Sequence, residues 1–237
     1  MTNGIRLYSG GALPFIAILL LIGLVIVIIP LLFLGLVGAA FTRLGFSWTA
    51  ALAVVLLMLF GSFINIPLST VRREMVRAGH GEFAYDGTNA RASAPVWDTV
   101  ISLNLGGALI PLIVSLYLIS RAISLMGTSV LIPVATGIVI VAVIAYVATR
   151  SVPGYGIRAP LFIPGLAALL CGLLLTGGTG LPAGVTAFVS GTAGTLLGAG
   201  IARLPAIKDL EVPEVSIGGA GMFGAVFLAC VLSALVA

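Results

Sequence analysis

Charge is what this chain has least of. Of its 237 residues, 11 are Lys or Arg and 7 are Asp or Glu, 8% together, against roughly 25% in an ordinary soluble domain. So few charged side chains cannot cover a soluble fold in which 60% of residues are hydrophobic, and mean hydropathy is +1.28. The balance excludes a soluble enzyme, a disordered tail and a nucleic-acid-binding module. Ionisable groups are missing from the middle of every apolar run, which excludes a carboxylate relay at mid-membrane. Cysteine is scarce. Cys171 and Cys230 each lie inside an apolar run and read as small buried hydrophobes rather than a disulfide. The single histidine, His80, stands near Glu82 and Asp86 in a polar stretch that reads as a solvated loop, so neither a metal nor another cofactor is expected. The first apolar run, about 28 residues from Pro14 to Phe41, is too long for the roughly 7–15 apolar residues of a cleavable signal.

Long apolar runs are what the chain has instead. Seven approach the length that crosses a bilayer: about 14–41, 47–70, 99–120, 129–149, 159–177, 181–203 and 215–237. They are continuous rather than alternating, which predicts helices and not a transmembrane barrel. The fold expected is all-α: a polytopic bundle of seven transmembrane helices forming one domain over 1–237, in the cell (plasma) membrane. Nine of the eleven basic residues fall in alternate hydrophilic segments: Arg6; Arg72, Arg73, Arg77 and Arg91; Arg150 and Arg158; Arg203 and Lys208. Only Arg43 and Arg121 fall in the others. The positive-inside rule then places the N-terminus in the cytoplasm and the C-terminus outside. The largest soluble segment is the cytoplasmic loop 71–98. It opens on Val71 to Arg77, read as a helical extension of span 2, and carries a weak hairpin signal at Asp86-Gly87.

Three polar segments reach the same depth. Asn65 precedes the inner end of span 2 by about five residues, and Asn104 follows the inner end of span 3 by about five. Ser216, Gly218, Gly219 and Gly221 open span 7 with a glycine-rich start that leaves backbone accessible. Pro111 deprives the Gly107 carbonyl of its helical donor. Asn65, Asn104, Gly107, Ser216, Gly218, Gly219 and Gly221 therefore form a candidate pocket for a solute or ion in the cytoplasmic third of the membrane. The alternative is that the two amides bond across the 2–3 interface and the glycines only allow close packing. Gly194 and Gly198, and Ala220 and Gly224, make small-xxx-small pairs that serve helix packing and allow a homo-oligomer. Arg72, Arg73 and Arg77 are placed to contact anionic lipid headgroups or a partner. Trp48 and Trp97 fall at span ends, as interfacial anchors do.

Val100-Ile101-Ser102-Leu103-Asn104-Leu105-Gly106-Gly107-Ala108-Leu109-Ile110-Pro111, with Ser115-Leu116-Tyr117-Leu118 after it, resembles a signature of a prokaryotic membrane family catalogued as domain of unknown function 1614. So do Asn65-Ile66-Pro67-Leu68 and Ser216-Ile217-Gly218-Gly219-Ala220-Gly221-Met222-Phe223. The resemblance runs from span 2 to the C-terminus and brings no established reaction. It implies acids where this chain has Gly200 and Gly224. Two such acids would suit an intramembrane aspartyl protease, which needs two carboxylates sharing a proton. Here both positions are glycine.

The function expected is therefore non-enzymatic: permeation or transport of a small solute or ion through the polar pocket. A membrane scaffold or sensor acting through the basic 2–3 loop comes second, and a hydrolase last. The partners expected are the lipid bilayer, with anionic headgroups, and no nucleic acid.

Overall fold

The computed structural model of the chain describes residues 12–74, 96–209 and 212–237. Arg77, His80, Glu82 and the Asp86-Gly87 turn lie outside these residues, as do the side chains of Arg72, Arg73 and Trp97. The fold is mostly helical. Its α-helices are α1 (Ala12–Arg43), α2 (Trp48–Gly61), α3 (Ile110–Met126), α4 (Leu131–Ala148), α5 (Ile163–Thr176), α6 (Leu181–Thr195) and α7 (Phe223–Ser233). Four helical stretches are long and apolar enough to cross a membrane: Phe15–Arg43, Leu105–Met126, Thr128–Ala148 and Leu181–Ala206. The apolar helices α2, α5 and α7 have 14, 14 and 11 residues. At 1.5 Å per residue they fall short of a hydrocarbon core about 30 Å thick.

The missing turns are strands. Where helical spans 2, 3 and 7 are expected to reach their inner ends, the chain forms β1 (Asn65–Glu74), β2 (Val96–Asn104) and β5 (Glu214–Ile217). These make one sheet in the order β1-β2-β5. β1 runs antiparallel to β2 with Asn65 opposite Asn104, and β5 runs parallel to β2 with Ser216 opposite Ser102. The helical extension expected from Val71 is therefore strand through Glu74, and the expected all-α class is corrected by a sheet. The physical reason is that Ile66-Pro67-Leu68 and Val100-Ile101 are apolar enough to prolong a hydrophobic run. Such short runs read alike as buried helix or buried strand. Pro67 has no N–H for a helix, and β-branched Val100 and Ile101 suit a strand.

Pro111 acts similarly one segment later. It has no N–H to offer the Gly107 carbonyl, and the chain enters α3 through a π turn, Leu105–Leu109, in which the Ile110 N–H reaches Leu105. A second π turn, Leu196–Gly200, ends α6 and leads into a 3-10 segment, Ile201–Asp209, containing Pro205.

Helix α6 is the centre of the bundle. Its sequence LPAGVTAFVSGTAGT has small residues on every side, and α3, α4, α5 and α7 pack around it. Its glycines decide its neighbours. A Cβ on Gly191 would meet Ala168 of α5 and Ala229 of α7, one on Gly194 would meet Val141 of α4, and one on Gly198 would strike the Ala142 backbone. The Gly194–Gly198 pair thus seats α6 on α4. The second small-xxx-small pair does not form on a helix, because Ala220 precedes α7 in a turn. Phe41 of α1 meets Phe188 of α6 edge-on at 5.9 Å. Cys171 and Cys230 are buried and free.

Connections sort to two ends. At one end are the sheet and a small hairpin, β3 (Arg150–Val152) and β4 (Gly156–Arg158), tied on where Ala159 N–H donates to the Gly221 carbonyl at 2.9 Å. At the other end Arg121 reaches the Gly45 carbonyl, and Gly180 N–H donates to Val236 at 2.6 Å. Helix α1 joins the core only near its C-terminus, through Val37 and Phe41 with Leu44 just beyond. From Phe15 to Leu32 it stands exposed, with Leu20 and Leu32 about two-thirds open. An apolar surface of that extent suits lipid rather than water.

Candidate functional site

The strand period places polar side chains on a common face of the sheet. Ser102 and Asn104 are two apart on β2, and Glu214 and Ser216 are two apart on β5. Asn104 is completely buried. Its Nδ2 donates to the Ser62 carbonyl at 2.7 Å and to Asn65 Oδ1 at 2.9 Å, with the Ile64 carbonyl at 3.4 Å. Its Oδ1 accepts from Gly107 N–H at 2.7 Å. One side chain therefore closes the end of α2, the start of β1 and the π turn. Ser216 Oγ donates to the same Asn65 Oδ1 at 2.7 Å. Ser102 Oγ donates to Glu214 Oε1 at 2.5 Å.

The glycines do different work. Gly107 and Gly218 lie backbone against backbone: a Cβ on Gly107 would collide with the Gly218 carbonyl oxygen, and one on Gly218 would come within 2.6 Å of Gly107 oxygen. Gly219 packs against the side chain of Ser216, and Gly221 packs against the Ile157 carbonyl of the β3-β4 hairpin. Of the residues singled out in the sequence, the structure thus brings together Asn65, Asn104, Gly107, Ser216, Gly218 and Gly219. Gly221 is turned to the hairpin. Arg72 and Arg73 pair by register with Asp98 and Trp97 in the β1-β2 ladder. Gly200 lies against Ile217, and Gly224 against Leu161.

A cavity of about 100 Å³ opens beside this cluster. Asn65, Glu214, Ser216, Tyr155, Ile157 and Met222 are among its lining residues. Asn104 and Gly107 are not, because packing already engages them. Asn65 Oδ1 accepts twice, and its Nδ2 has no hydrogen-bond partner among the described residues. Glu214 adds a carboxylate in which Oε2 is not used by Ser102. The volume holds several water molecules or one small solute. Among the described residues, no three His, Cys, Asp or Glu side chains are grouped to hold a metal ion.

Sequence reasoning missed Glu214 and Tyr155. Tyr155 carries no local signal, since only the hairpin brings it here. Glu214 did carry one: Ser102-x-Asn104 and Glu214-x-Ser216 alternate with the period of a strand. A helical reading of 99–120 and a span beginning at 215 hide that period.

No curated protein and no solved structure matches the chain. One family model does, over residues 59–236, from the end of α2 through α7 and therefore across the sheet, the cavity and both π turns. The chain belongs to the family described as Protein of unknown function (DUF1614).

Proposed function

We propose that this chain is a multi-pass protein of the cell (plasma) membrane that binds a small solute or ion at its sheet-bearing end, as a step in permeation. The reading is non-enzymatic. It has seven membrane-embedded segments, the sheet on the cytoplasmic side and the C-terminus outside. Arg150, Arg158 and Arg203 at the sheet-bearing end support that orientation. So does the exposure of β1 from Asn65 to Thr70, because an open strand edge cannot sit in hydrocarbon. The observation that carries the reading is the cavity itself. An amide from β1 and a carboxylate and a hydroxyl from β5 converge on it, a donor and acceptor set that suits a small cation or a neutral hydrogen-bonding solute.

A second reading, solute sensing without passage, rests on the closeness of α6 to its neighbours at Gly191, Gly194 and Gly198. A hydrolase has less behind it, since Glu214 is the one carboxylate among the described residues that line the cavity. An aspartyl mechanism needs two.

Thiol accessibility distinguishes these readings. In a Cys171→Ala, Cys230→Ala background, Ala220→Cys and Glu214→Cys place thiols on the cavity wall. A small membrane-impermeant reagent is expected to label both rapidly in inverted vesicles, where the cytoplasmic face is outward. Slower labelling from the opposite face as well indicates permeation, and labelling from the sheet side alone indicates sensing. Silence from the sheet side in folded protein overturns the site.

A further inference from the structure

We infer that the chain carries a site for one anionic phospholipid in the groove between α4 and the C-terminal end of α6, with Arg203 at its headgroup end. The groove is about 590 Å³, within the range of sites that hold one drug-sized or lipid-tail-sized ligand. Its walls are Ala142, Val143 and Tyr146 of α4, and Leu197, Ile201 and Ala202 of the π and 3-10 segments. Five are apolar and the sixth, Tyr146, adds an aromatic ring with one hydroxyl, so the wall offers an acyl chain a mostly apolar surface.

The π turn shapes this groove. Gly198 lies against the Ala142 backbone, so the two segments touch at that point, while Leu197 and Ile201 stay 43% and 48% exposed on the open side.

What separates the groove from ordinary lipid-facing surface is its charged end. Tyr146 lies in the last turn of α4, where carbonyls lack helical donors. Arg203 supplies them: Nε donates to the Tyr146 carbonyl at 3.2 Å and one terminal nitrogen at 2.5 Å. Its guanidinium also lies over the Tyr146 ring, 4.3 Å from the centroid. These contacts hold a cation in place beside the apolar groove. They use Nε and one terminal nitrogen of a group that carries five N–H donors. The other terminal nitrogen has no hydrogen-bond partner among the described residues. A guanidinium so held matches a phosphate diester geometrically, and basic pockets between membrane helices on the cytoplasmic side bind such headgroups. The sheet-bearing end, where Arg203 sits, is the end that the distribution of basic residues assigns to the cytoplasm.

The test is native mass spectrometry of the full chain in detergent, with equal amounts of phosphatidylglycerol and phosphatidylcholine bearing the same acyl chains. The wild type is expected to retain one phosphatidylglycerol with about a five-fold preference, the factor that one near-surface arginine contributes to anionic-lipid attraction. Arg203→Gln is expected to retain both lipids equally. Val143→Trp, at a position 58% exposed and so tolerant of bulk, fills the groove and is expected to lose both lipids. Equal retention by the wild type, or an unchanged preference in Arg203→Gln, overturns the headgroup assignment. Full retention in Val143→Trp overturns the groove.

Discussion

Gly218→Ala is expected to destabilise the fold severely, with a loss of about 2–5 kcal/mol. Two costs add. Gly218 has φ of +77°, where a Cβ costs roughly 1–2 kcal/mol. That Cβ would also come within 2.6 Å of Gly107 oxygen and 2.8 Å of Ala108 Cβ. Overpacking of this kind costs about 1–3 kcal/mol, and more where backbone must move. Here it must, because the obstacle is the π turn itself. Gly107→Ala meets the same contact from the other side and is expected to cost about as much without the φ contribution. Two controls separate the causes. Gly127 has φ of +79° but nothing within 4 Å, so Gly127→Ala shows the strain alone. Gly23 has nothing within 4 Å in an exposed helix, and Gly23→Ala is expected to be neutral or mildly stabilising. Unfolding of the detergent-solubilised variants by heat or SDS reads all four. A Gly218→Ala protein no less stable than Gly127→Ala would mean that the π turn and the glycine turn are not packed as described.

The second large effect is expected at Asn104. Polar contacts between membrane helices average only about 0.6 kcal/mol, because the separated helices find other partners. A buried group left unsatisfied costs about 1–3 kcal/mol. The second figure governs here, since two of the groups that Asn104 serves, the Ser62 carbonyl and the Gly107 N–H, are backbone atoms held by a helix end and a π turn. Asn104→Ala is therefore expected to lose about 3 kcal/mol. Asn65→Ala is expected to lose about 1 kcal/mol or less, because Asn65 is exposed and water can replace its amide. The same unfolding measurement decides. An Asn104→Ala loss near 0.6 kcal/mol would make the amide an ordinary helix-packing contact and remove it as the element joining α2, β1 and α3.

Asn104 also shows how much of the site is legible in the residue order. The depth it shares with Asn65 and the Ser216–Gly219 segment follows from counting residues inward from span ends, while their adjacency comes only from the strand pairing. The same counting leaves two roles open for it, pocket lining or amide bonding to Asn65, and the structure shows the amide bond. Depth alone does not distinguish a residue lining a cavity from one bonded to a helix end. Glu214 is obscured for a related reason: the short apolar stretch beside it fits the helical period, which hides the alternation that a strand makes visible.

Composition by itself set the expectation of a membrane protein, because 18 charged side chains cannot solvate a chain this apolar, and the apolar helices are compatible with it. The positions of the basic residues supplied the expectation that connections alternate between two ends. The glycine and proline positions marked where helices would be interrupted. Tertiary structure alone decided what replaces the helix there. Whether Asn65–Glu74 continues a helix or becomes a strand depends on β2 lying beside it to take its hydrogen bonds, and β2 in turn pairs with β5, whose residues follow more than a hundred positions later. The cavity depends on the same long-range pairing. Its walls come from β1, the β3-β4 hairpin, β5 and the turn before α7, and the bundle around α6 brings these segments to one end.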